Sequence, residues 1–232
     1  MDDQITRLVD KVWDKFLRTP PERRLSKTTL SQLLTSKLNA RHMTLDPSSP
    51  EYTSTAVAAF VPMDGYHLTR DQLSAMPDPI TAHARRGAEF TFDGASFLRL
   101  VQALREPLAP SSETVYAPSF DHAVKDPKDN DIPIAPSHRI VVFEGNYVVL
   151  DQAPWSDAAA LMDERWFVEV DFAVARKRLV RRHVAAGISP DEADADKRAT
   201  ENDLVNGAEI VDKRLPLDEI IVSREDEAWV HE

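Results

Sequence analysis

Two acidic residues of this sequence each follow an apolar run and precede a glycine. Asp64 follows the run 55–63, and Glu144 follows Ile140-Val141-Val142-Phe143. Where such runs are strands of an open parallel sheet, their carboxyl ends line the edge at which ligands bind. A carboxylate there can orient a hydroxyl group and take its proton, or ligate a hard cation such as Mg²⁺. Either acid-glycine pair alone is also typical of a plain turn, so the functional interpretation depends on their occurring together.

Four arginines form a second group of chemical interest. Their positions are Arg176, Arg178, Arg181 and Arg182. On a helix this spacing places at least two guanidinium groups on one face. A guanidinium is planar, always charged and able to bind phosphate oxygens through two hydrogen bonds. The alternative is a solvated basic face that pairs with Glu169, Asp171 or the acidic stretch 191–196.

The elements that would position these side chains alternate along the chain. Short apolar runs predict strands at residues 55–63, 139–143, 165–170 and 217–222. Helical periodicity predicts helices at residues 2–17, 27–39, 96–105 and 173–186. Apolar strands that alternate with helices indicate an α/β protein with a parallel sheet. We expect one domain over residues 1–232, with an N-terminal helix at 1–17 and the arginines in a region at 173–200.

The bulk composition excludes several classes of protein. The net charge of -11 argues against a nucleic-acid partner, because phosphate binding requires a basic surface. The absence of cysteine excludes disulfides, thiolate metal sites and a cysteine nucleophile. No apolar run has the length of a membrane span, so we expect no membrane partner. Acids such as Asp2, Asp3 and Asp10 argue against a signal peptide or a mitochondrial presequence, and we therefore expect a cytoplasmic protein.

A set of motifs occurs in an order that is typical of one enzyme superfamily. The motifs are Met63-Asp64-Gly65-Tyr66-His67, Arg86-Gly87, Thr91-Phe92-Asp93, Tyr116-Ala117-Pro118-Ser119-Phe120-Asp121-His122, Val142-Phe143-Glu144-Gly145-Asn146-Tyr147 and the run 176–183. Over about residues 26–222 the chain resembles the P-loop kinases related to uridine kinase, phosphoribulokinase and pantothenate kinase. The resemblance implies a three-layer P-loop NTPase-like fold, in which helices flank a parallel sheet. It also implies ATP and Mg²⁺ as cofactors and a small-molecule hydroxyl compound as the acceptor.

The resemblance assigns a role to each candidate site residue. The catalytic residues would be Asp64, as the base that accepts the hydroxyl proton, together with Arg176 and Arg181 of a lid. The nucleotide would be bound by Lys27, Thr28 and Arg182. The magnesium ion would be ligated by Thr28 and Glu144. The acceptor would be held by Tyr66, His67, Tyr116, Asp121 and His122.

One part of the family pattern is missing. A P-loop has the form G-x-x-x-x-G-K-[ST] between the first strand and the next helix, and Ser26-Lys27-Thr28-Thr29-Leu30 resembles only its end. The six glycines occur at positions 65, 87, 94, 145, 187 and 207. The segment 18–25 is short, charged and rich in proline, so we predict that the usual first strand is absent as well. The chain resembles a family member that has lost a segment between Arg24 and Ser26.

Two functions are compatible with this pattern. The first is an ATP-dependent phosphotransferase that acts on a hydroxyl group of a nucleoside, sugar or pantothenate-like compound and is impaired by the loss of the phosphate-binding loop. The second is a catalytically inactive relative that retains the acceptor pocket and acts as a binding or regulatory protein. An unrelated α/β domain is disfavoured by the ordered motifs. A homodimer is compatible with the sequence, although no residue in it selects one.

Overall fold

The computed structural model describes residues 2–28, 31–49 and 54–223, without the side chains of residues 2, 26–28 and 31. Its helices are α1 (Asp2–Leu17), α2 (Ser31–His42), α3 (Arg70–Ser74), α4 (Pro79–Ala84), α5 (Gly94–Arg105), α6 (Trp155–Ala160), α7 (Phe172–Ala185), α8 (Glu192–Arg198) and α9 (Leu204–Asp212). Its strands are β1 (Leu25–Thr28), β2 (Ala58–Pro62), β3 (Val115–Asp121), β4 (Asp126–Ile134), β5 (Ile140–Glu144), β6 (Trp166–Glu169) and β7 (Glu219–Val222). Two 3₁₀ turns, Met63–Tyr66 and Glu89–Thr91, and a π-helical turn, Ala199–Asp203, complete the list.

The central sheet is parallel, as the sequence predicts. Strand β5 lies between β1 and β2 and pairs in parallel with both. Strands β6 and β7 form a second parallel pair, and β6 contacts β1. The side chains of β5 are apolar and buried from Ile140 to Phe143, because helices cover both faces of the sheet. The predicted α/β fold with flanking helices is therefore confirmed.

Strand β1 corrects one expectation. The composition of residues 18–25 predicts no strand before α2, whereas Leu25–Thr28 pairs along its whole length with β5. The segment contains a single apolar residue, Leu25, which is buried, so its pattern gives little signal for a strand. Pairing with the buried strand β5 satisfies its backbone groups and imposes the extended conformation. Accordingly, the helix that the sequence places from residue 27 begins at Ser31.

Two apolar clusters stabilise the sheet, one on each face. The first contains Phe97 and Val101 of α5 and Trp155 of α6, which pack with Val141 and Phe143 of the central strand. The second contains the apolar stripe of α1 and residues of α2, which pack against the opposite side of the same strand. Among the described residues, no helix combines the length and the apolar character that a membrane span requires.

An antiparallel hairpin projects from the core. It is formed by a stretch of the sequence that shows no sustained periodicity. Strands β3 and β4 pair from Val115–Ile134 to Asp121–Asp126, with an irregularity between Ala117 and Ser119. Prolines interrupt the alternation of apolar and polar residues in both strands, so the sequence pattern alone does not predict them. The hairpin contacts the 3₁₀ turn Met63–Tyr66 and thereby covers the residues that follow β2.

Candidate active site

The two acids selected from the sequence lie at neighbouring strand ends. Glu144 is the last residue of β5 and pairs in register with Pro62, the last residue of β2. Asp64 lies two residues later, in the 3₁₀ turn, and its side chain is half exposed. Burial raises the pKa of the Glu144 carboxyl, and the negative charge of Asp64 raises it further. The two carboxylates therefore form one electrostatically linked pair at the ligand-binding edge of the sheet.

Two glycines allow the chain to turn closely around this pair. A Cβ atom on Gly65 would lie 2.1 Å from the carbonyl oxygen of Pro118 in the hairpin. A Cβ atom on Gly145 would lie 2.2 Å from the Cβ atom of Met63. Both distances are far shorter than any van der Waals contact, so neither position has room for a side chain. Close packing thus requires glycine directly after each of the two acids.

His67 is held beside Asp64 by one hydrogen bond and two aromatic rings. Its Nδ1 atom lies 2.8 Å from the carbonyl oxygen of Asp64, and because a carbonyl can only accept, Nδ1 carries the proton. Its ring lies 4.0 Å from that of Phe92 and 4.9 Å from that of Phe120, measured between centroids. Burial lowers the pKa of His67 by more than the hydrogen bond to Asp64 and the charge of Asp64 raise it, and the charge of Arg86 adds to the lowering. The neutral ring therefore keeps Nε2 as a hydrogen-bond acceptor at neutral pH.

A cavity of about 540 Å³ adjoins the turn that carries Asp64. Its walls come from the turn itself, from α3, from α5 and from both hairpin strands. Of the predicted acceptor-binding residues, it is lined by Tyr66, His67 and Tyr116. Its charged lining groups are Asp93, Arg99 and Asp129. We call this cavity the acceptor pocket, because its size and its polar lining suit a small molecule.

The two remaining acceptor-binding candidates lie at the hairpin tip. The carboxylate of Asp121 accepts hydrogen bonds from the backbone N–H groups of Ala123 and Val124, and these bonds lower its pKa. His122 is exposed and packs against Phe120 at 5.2 Å between ring centroids. Neither residue lines the acceptor pocket. The hairpin turn thus accounts for the position of Asp121 without a ligand.

The arginine region divides into engaged and exposed members. Arg176 donates two hydrogen bonds to the carboxylate of Asp196 in α8, at 2.6 and 2.5 Å. Arg178 donates to Ser223 Oγ at 2.8 Å. Arg181 and Arg182 are exposed on α7 and form no ion pair with any residue that the structure describes. The predicted pairing with the stretch 191–196 therefore holds for Arg176, and Arg181 and Arg182 face solvent.

The phosphate-loop candidates occupy a different setting from the predicted one. The backbones of Lys27 and Thr28 lie within β1, opposite Val142 and Phe143 of β5. Their side chains lie outside the described part of the chain, as do Thr29 and Leu30 entirely. Only these last two residues separate the end of β1 from the start of α2. A P-loop pattern extends over eight residues and contains two glycines, so this connection has no room for one.

The donor set at the strand ends fits a hard divalent cation. Mg²⁺ is usually bound through one or two carboxylates together with water and substrate phosphates. Glu144 is partly buried and its pKa responds to the charge of Asp64, which gives two carboxylates at one place. Among the described residues, no group of three or more histidine or acidic side chains forms a complete metal cage. The site therefore suits Mg²⁺ that is held in part by a bound phosphate.

Several residues that shape the site receive no role from the sequence, although Asp93 belongs to one of its motifs. Asp93 caps α5 by accepting a hydrogen bond from Ser96 N at 2.9 Å, and Ser96 Oγ donates to the same carboxylate. Arg99 donates to Ser96 Oγ at 2.6 Å. Arg85 lies at the end of α4 and donates hydrogen bonds to Asn202 and Asn206, more than a hundred residues later in the sequence. The order Asp-x-x-Ser at a helix start is a capping signal, whereas nothing in the local sequence reveals the partners of Arg85.

The known proteins whose sequences are similar to this chain carry the names of ATP-dependent kinases or of a uridine kinase. No protein-family model matches the chain. The ATP-dependent kinase-like protein notR' of Aspergillus versicolor is 59% identical over 159 residues, which are 68% of this chain and 92% of that protein. A candidate uridine kinase of Schizosaccharomyces pombe is 35% identical over 198 residues, 85% of this chain and 78% of that one. The ATP-dependent kinase YFH7 of Saccharomyces cerevisiae is 32% identical over 204 residues, and the matched part covers 57% of its length.

Solved structures resemble the fold over nearly the whole chain. The crystal structure of yeast YFH7, described as a circularly permuted P-loop kinase, has a TM-score of 0.81 at 21% identity and covers 96% of this chain and 99% of that one. A candidate fructose transport system kinase from Silicibacter has a TM-score of 0.76 at 30% identity, with coverage of 93% and 98%. These similarities concern the same sheet whose strand ends carry Asp64 and Glu144.

Proposed function

Because the chain belongs to the P-loop kinase superfamily of uridine kinase, phosphoribulokinase and pantothenate kinase, we propose that it transfers a phosphoryl group from ATP to a hydroxyl group of a small molecule. The observation that carries this proposal is the linked acid pair Asp64 and Glu144 at adjacent strand ends, where Asp64 immediately precedes Gly65 of the pocket lining. An acceptor in that pocket would present its hydroxyl group to Asp64, and the phosphoryl donor would approach from the strand-end side.

The two acids have different roles in this proposal. Asp64 is half exposed and follows the strand by two residues, so it can accept a hydrogen bond from the acceptor hydroxyl and take its proton. Glu144 is more buried, and its carboxylate would hold Mg²⁺ beside Asp64. The bound metal would neutralise charge on the phosphate oxygens as the phosphoryl group moves. The neutral His67 positions Asp64 through its hydrogen bond to the backbone of that residue.

The arginines of α7 are suited to the donor phosphates. Arg181 and Arg182 are exposed and unpaired within the described structure, so their guanidinium groups can bind phosphate oxygens without breaking an existing ion pair. Arg176 would first have to leave Asp196. We therefore assign the phosphate contact to Arg181 and Arg182, and the fixing of α7 against α8 to Arg176.

The charges of the acceptor pocket favour an uncharged substrate. Asp93 and Asp129 exceed the single cation Arg99, whose guanidinium already donates to Ser96. A phosphate or carboxylate in the pocket would be repelled by this acidic excess. A neutral nucleoside or sugar is therefore favoured over a sugar phosphate or a pantothenate-like acid. Hydroxyl groups can bond to Tyr116, Gln72 and Asn130 in the lining.

A second candidate function follows from the short connection after β1. The sequence has no glycine before residue 65, so it encodes no glycine-rich loop ahead of α2 to bind nucleotide phosphates, and side-chain charge alone does not replace a preorganised nest. A protein with an intact acceptor pocket and weak nucleotide affinity would bind the acceptor without phosphorylating it. Such a relative would act by binding or regulation.

One pair of measurements distinguishes the two functions. Purified protein is incubated with Mg·ATP and a panel of nucleosides and sugars, and ADP release is followed beside the Asp64→Asn variant. Kinase function predicts acceptor-dependent ADP release that falls at least about 100-fold in the variant, consistent with loss of a general base. Calorimetric titration with ATP at millimolar concentration supplies the second measurement. No ATP binding, combined with thermal stabilisation by an acceptor, would establish the second function instead.

The other expectations from the sequence stay predictions. They are a cytoplasmic location, the absence of nucleic-acid and membrane partners, and a homodimer. Light scattering after gel filtration tests the homodimer, with a mass near twice the 26.1 kDa of the chain as the expected result.

A further inference from the structure

Arg85 connects the end of α4 to two buried asparagines far away in the sequence. Its Nε atom donates to Asn202 Oδ1 at 2.9 Å, and its Nη2 atom donates to Asn206 Oδ1 at 2.7 Å. Both asparagines are only 5% exposed. One edge of the guanidinium, formed by Nε and Nη2, therefore holds two side chains of the segment that follows the arginine region.

The local helix geometry brings both asparagines to one guanidinium. Asn202 lies in the π-helical turn Ala199–Asp203, and Asn206 lies in α9, which continues directly from it. Residues four apart lie on the same side of a helix, so both amides face α4. A π-helical turn inside a longer helix is unusual and often occurs at functional sites. We call residues 199–212 the post-lid segment.

The next residue, Arg86, connects the same short stretch to the hairpin. It donates to Lys125 O at 2.6 Å and to Asp126 Oδ1 at 3.0 Å, and its guanidinium lies 5.5 Å from the ring centroid of Phe120. It also donates to Leu68 O at 3.0 Å, just beyond the turn that carries Asp64. The hairpin wall of the acceptor pocket is therefore fixed through Arg86.

The third residue of the stretch, Gly87, contacts the loop after Glu144. Its carbonyl oxygen accepts a hydrogen bond from the Tyr147 hydroxyl at 2.8 Å, and Tyr147 is fully buried. Three successive residues thus bind three separate parts of the site. These parts are the post-lid segment, the hairpin and the strand end that carries the metal-binding acid.

We propose that Arg85 is a positioning residue, which couples the post-lid segment, and with it the arginines of α7, to the hairpin wall of the acceptor pocket. The coupling passes through residues 85–87. Arg85 binds the post-lid segment and Arg86 binds the hairpin, and these two arginines are adjacent in the chain. This inference rests on the proposed kinase function for its catalytic consequence. Its mechanical consequence, that the two parts move together, is independent of turnover.

The mechanical consequence is tested by hydrogen exchange on the full chain. In Arg85→Gln we expect amide exchange to accelerate at least about fivefold in residues 199–212 and also in the hairpin, residues 115–134. Asn206→Ala, which removes one of the two acceptors, should give a smaller change in the same two places. Arg70→Gln is the matched control, because Arg70 is an exposed residue of the neighbouring α3 that bonds to Asp126 through its backbone N–H, while its side chain forms no hydrogen bond or ion pair with the described residues. Faster exchange confined to residues 199–212 would overturn the coupling, because Arg85 would then stabilise the post-lid segment alone.

The catalytic consequence is tested by steady-state kinetics where the wild-type chain turns over. We expect Arg85→Gln to lower kcat at least about tenfold with less than about a threefold change in the acceptor KM, because the misplaced lid acts on the transferring phosphate. Arg85→Lys, which can reach one asparagine, should recover part of kcat. An unchanged kcat in a folded Arg85→Gln variant would overturn the role. If the wild-type chain has no activity, the kinase proposal fails and hydrogen exchange alone decides the coupling.

Discussion

At the scale of single residues, the chemistry depends on what surrounds each acid. Asp64 and Glu144 are ordinary carboxylic acids, yet one is half exposed in a turn and the other is largely enclosed at a strand end. Enclosure raises the pKa of Glu144 because its charged form loses hydration, and the charge of Asp64 acts in the same direction. The buried acid is therefore suited to a cation, and the exposed one to a substrate hydroxyl group.

Replacing Glu144 by glutamine should stabilise the metal-free protein at neutral pH. An acid whose pKa is raised by folding binds its proton more tightly in the folded state, so it weakens folding as the pH rises above its unfolded pKa of about 4.3. Glu144→Gln removes this penalty, and we expect a gain of about 1 kcal/mol, or about 2–4 °C in Tm, at pH 7. Thermal unfolding from pH 4 to pH 8 measures it. A variant that is less stable than wild type at pH 7 would contradict the buried-charge interpretation.

Gly145→Ala should disrupt the acid pair, because the new Cβ atom would overlap the Cβ atom of Met63. The ends of β2 and β5 would have to separate, at a cost of about 1–3 kcal/mol, as is usual for overpacking. Urea denaturation and ADP release measure the two effects. Gly207→Ala is the matched control. Gly207 lies within α9, and a Cβ atom there would lie at an ordinary 3.6 Å from the ring of Phe172. We expect that control to be neutral or slightly stabilising, and equal losses in both variants would refute the argument.

At the scale of elements, β1 is the least expected part of the fold. Four residues with one apolar side chain form a strand beside β5, although their sequence resembles the end of a P-loop. The residue before it, Arg24, is only 4% exposed, and its Nη2 atom has no hydrogen-bond partner in the described part of the structure. Burial lowers the pKa of Arg24, and the charge of Arg139 lowers it further. The short strand β1 thus places a charged residue, Arg24, in the protein interior.

Arg24→Met should therefore stabilise the protein. The substitution removes a partly unsatisfied buried charge and keeps an unbranched apolar chain in its place, at the loss of one hydrogen bond to His138 O. Removing a buried charge that is not fully hydrogen-bonded removes its desolvation cost, and we expect a gain of about 1–2 kcal/mol. Equilibrium urea denaturation gives the free energy of unfolding. Arg18→Met serves as the control at an exposed position, and a destabilised Arg24→Met would show that the hydrogen bond outweighs the buried charge.

At the scale of the whole molecule, α1 covers one face of the sheet and connects its edges. Its apolar stripe packs on Leu25, Val142 and Trp166, which belong to three different strands. Its basic residues form ion pairs with Glu164 and with Glu219, the first residue of β7. Helix α1 therefore joins the pair β6–β7 to the central strands as a single layered structure.

Glu219→Gln should weaken this attachment in a pH-dependent way. Hydrogen bonds from Arg7, with a further contribution from Lys11, lower the pKa of Glu219 to about 2. A lowered pKa stabilises the fold above the unfolded pKa of about 4.3, and this stabilisation is lost as the pH falls towards 2. We expect the variant to lose about 1 kcal/mol at pH 7, in the upper range for partly exposed ion pairs. Urea titrations at several pH values should show the two proteins converging in acid, and a constant difference would contradict the assignment.

Much of the site follows from sequence, because its residues are placed by local rules. An apolar run predicts a strand, and the next polar residue of a parallel strand lies at the ligand edge, which locates Asp64 and Glu144. The family likeness, the parallel sheet and the helices α1, α5 and α7 follow from motif order and periodicity in the same way. The missing glycine-rich loop is likewise a property of the sequence alone, since no glycine precedes residue 65.

Only the tertiary structure decides which distant residues meet. It pairs Leu25–Thr28 with β5, turns the proline-rich stretch into the hairpin, and joins Arg85 to Asn202 and Asn206 across more than a hundred residues. It also separates Arg176, engaged with Asp196, from the exposed Arg181 and Arg182 on the same helix. The physical reason is that periodicity and capping act within a few residues, whereas pairing, burial and ion pairs depend on the packed neighbours of each group. Asp64 and Glu144 can therefore be located from the sequence, whereas the contacts that position them cannot.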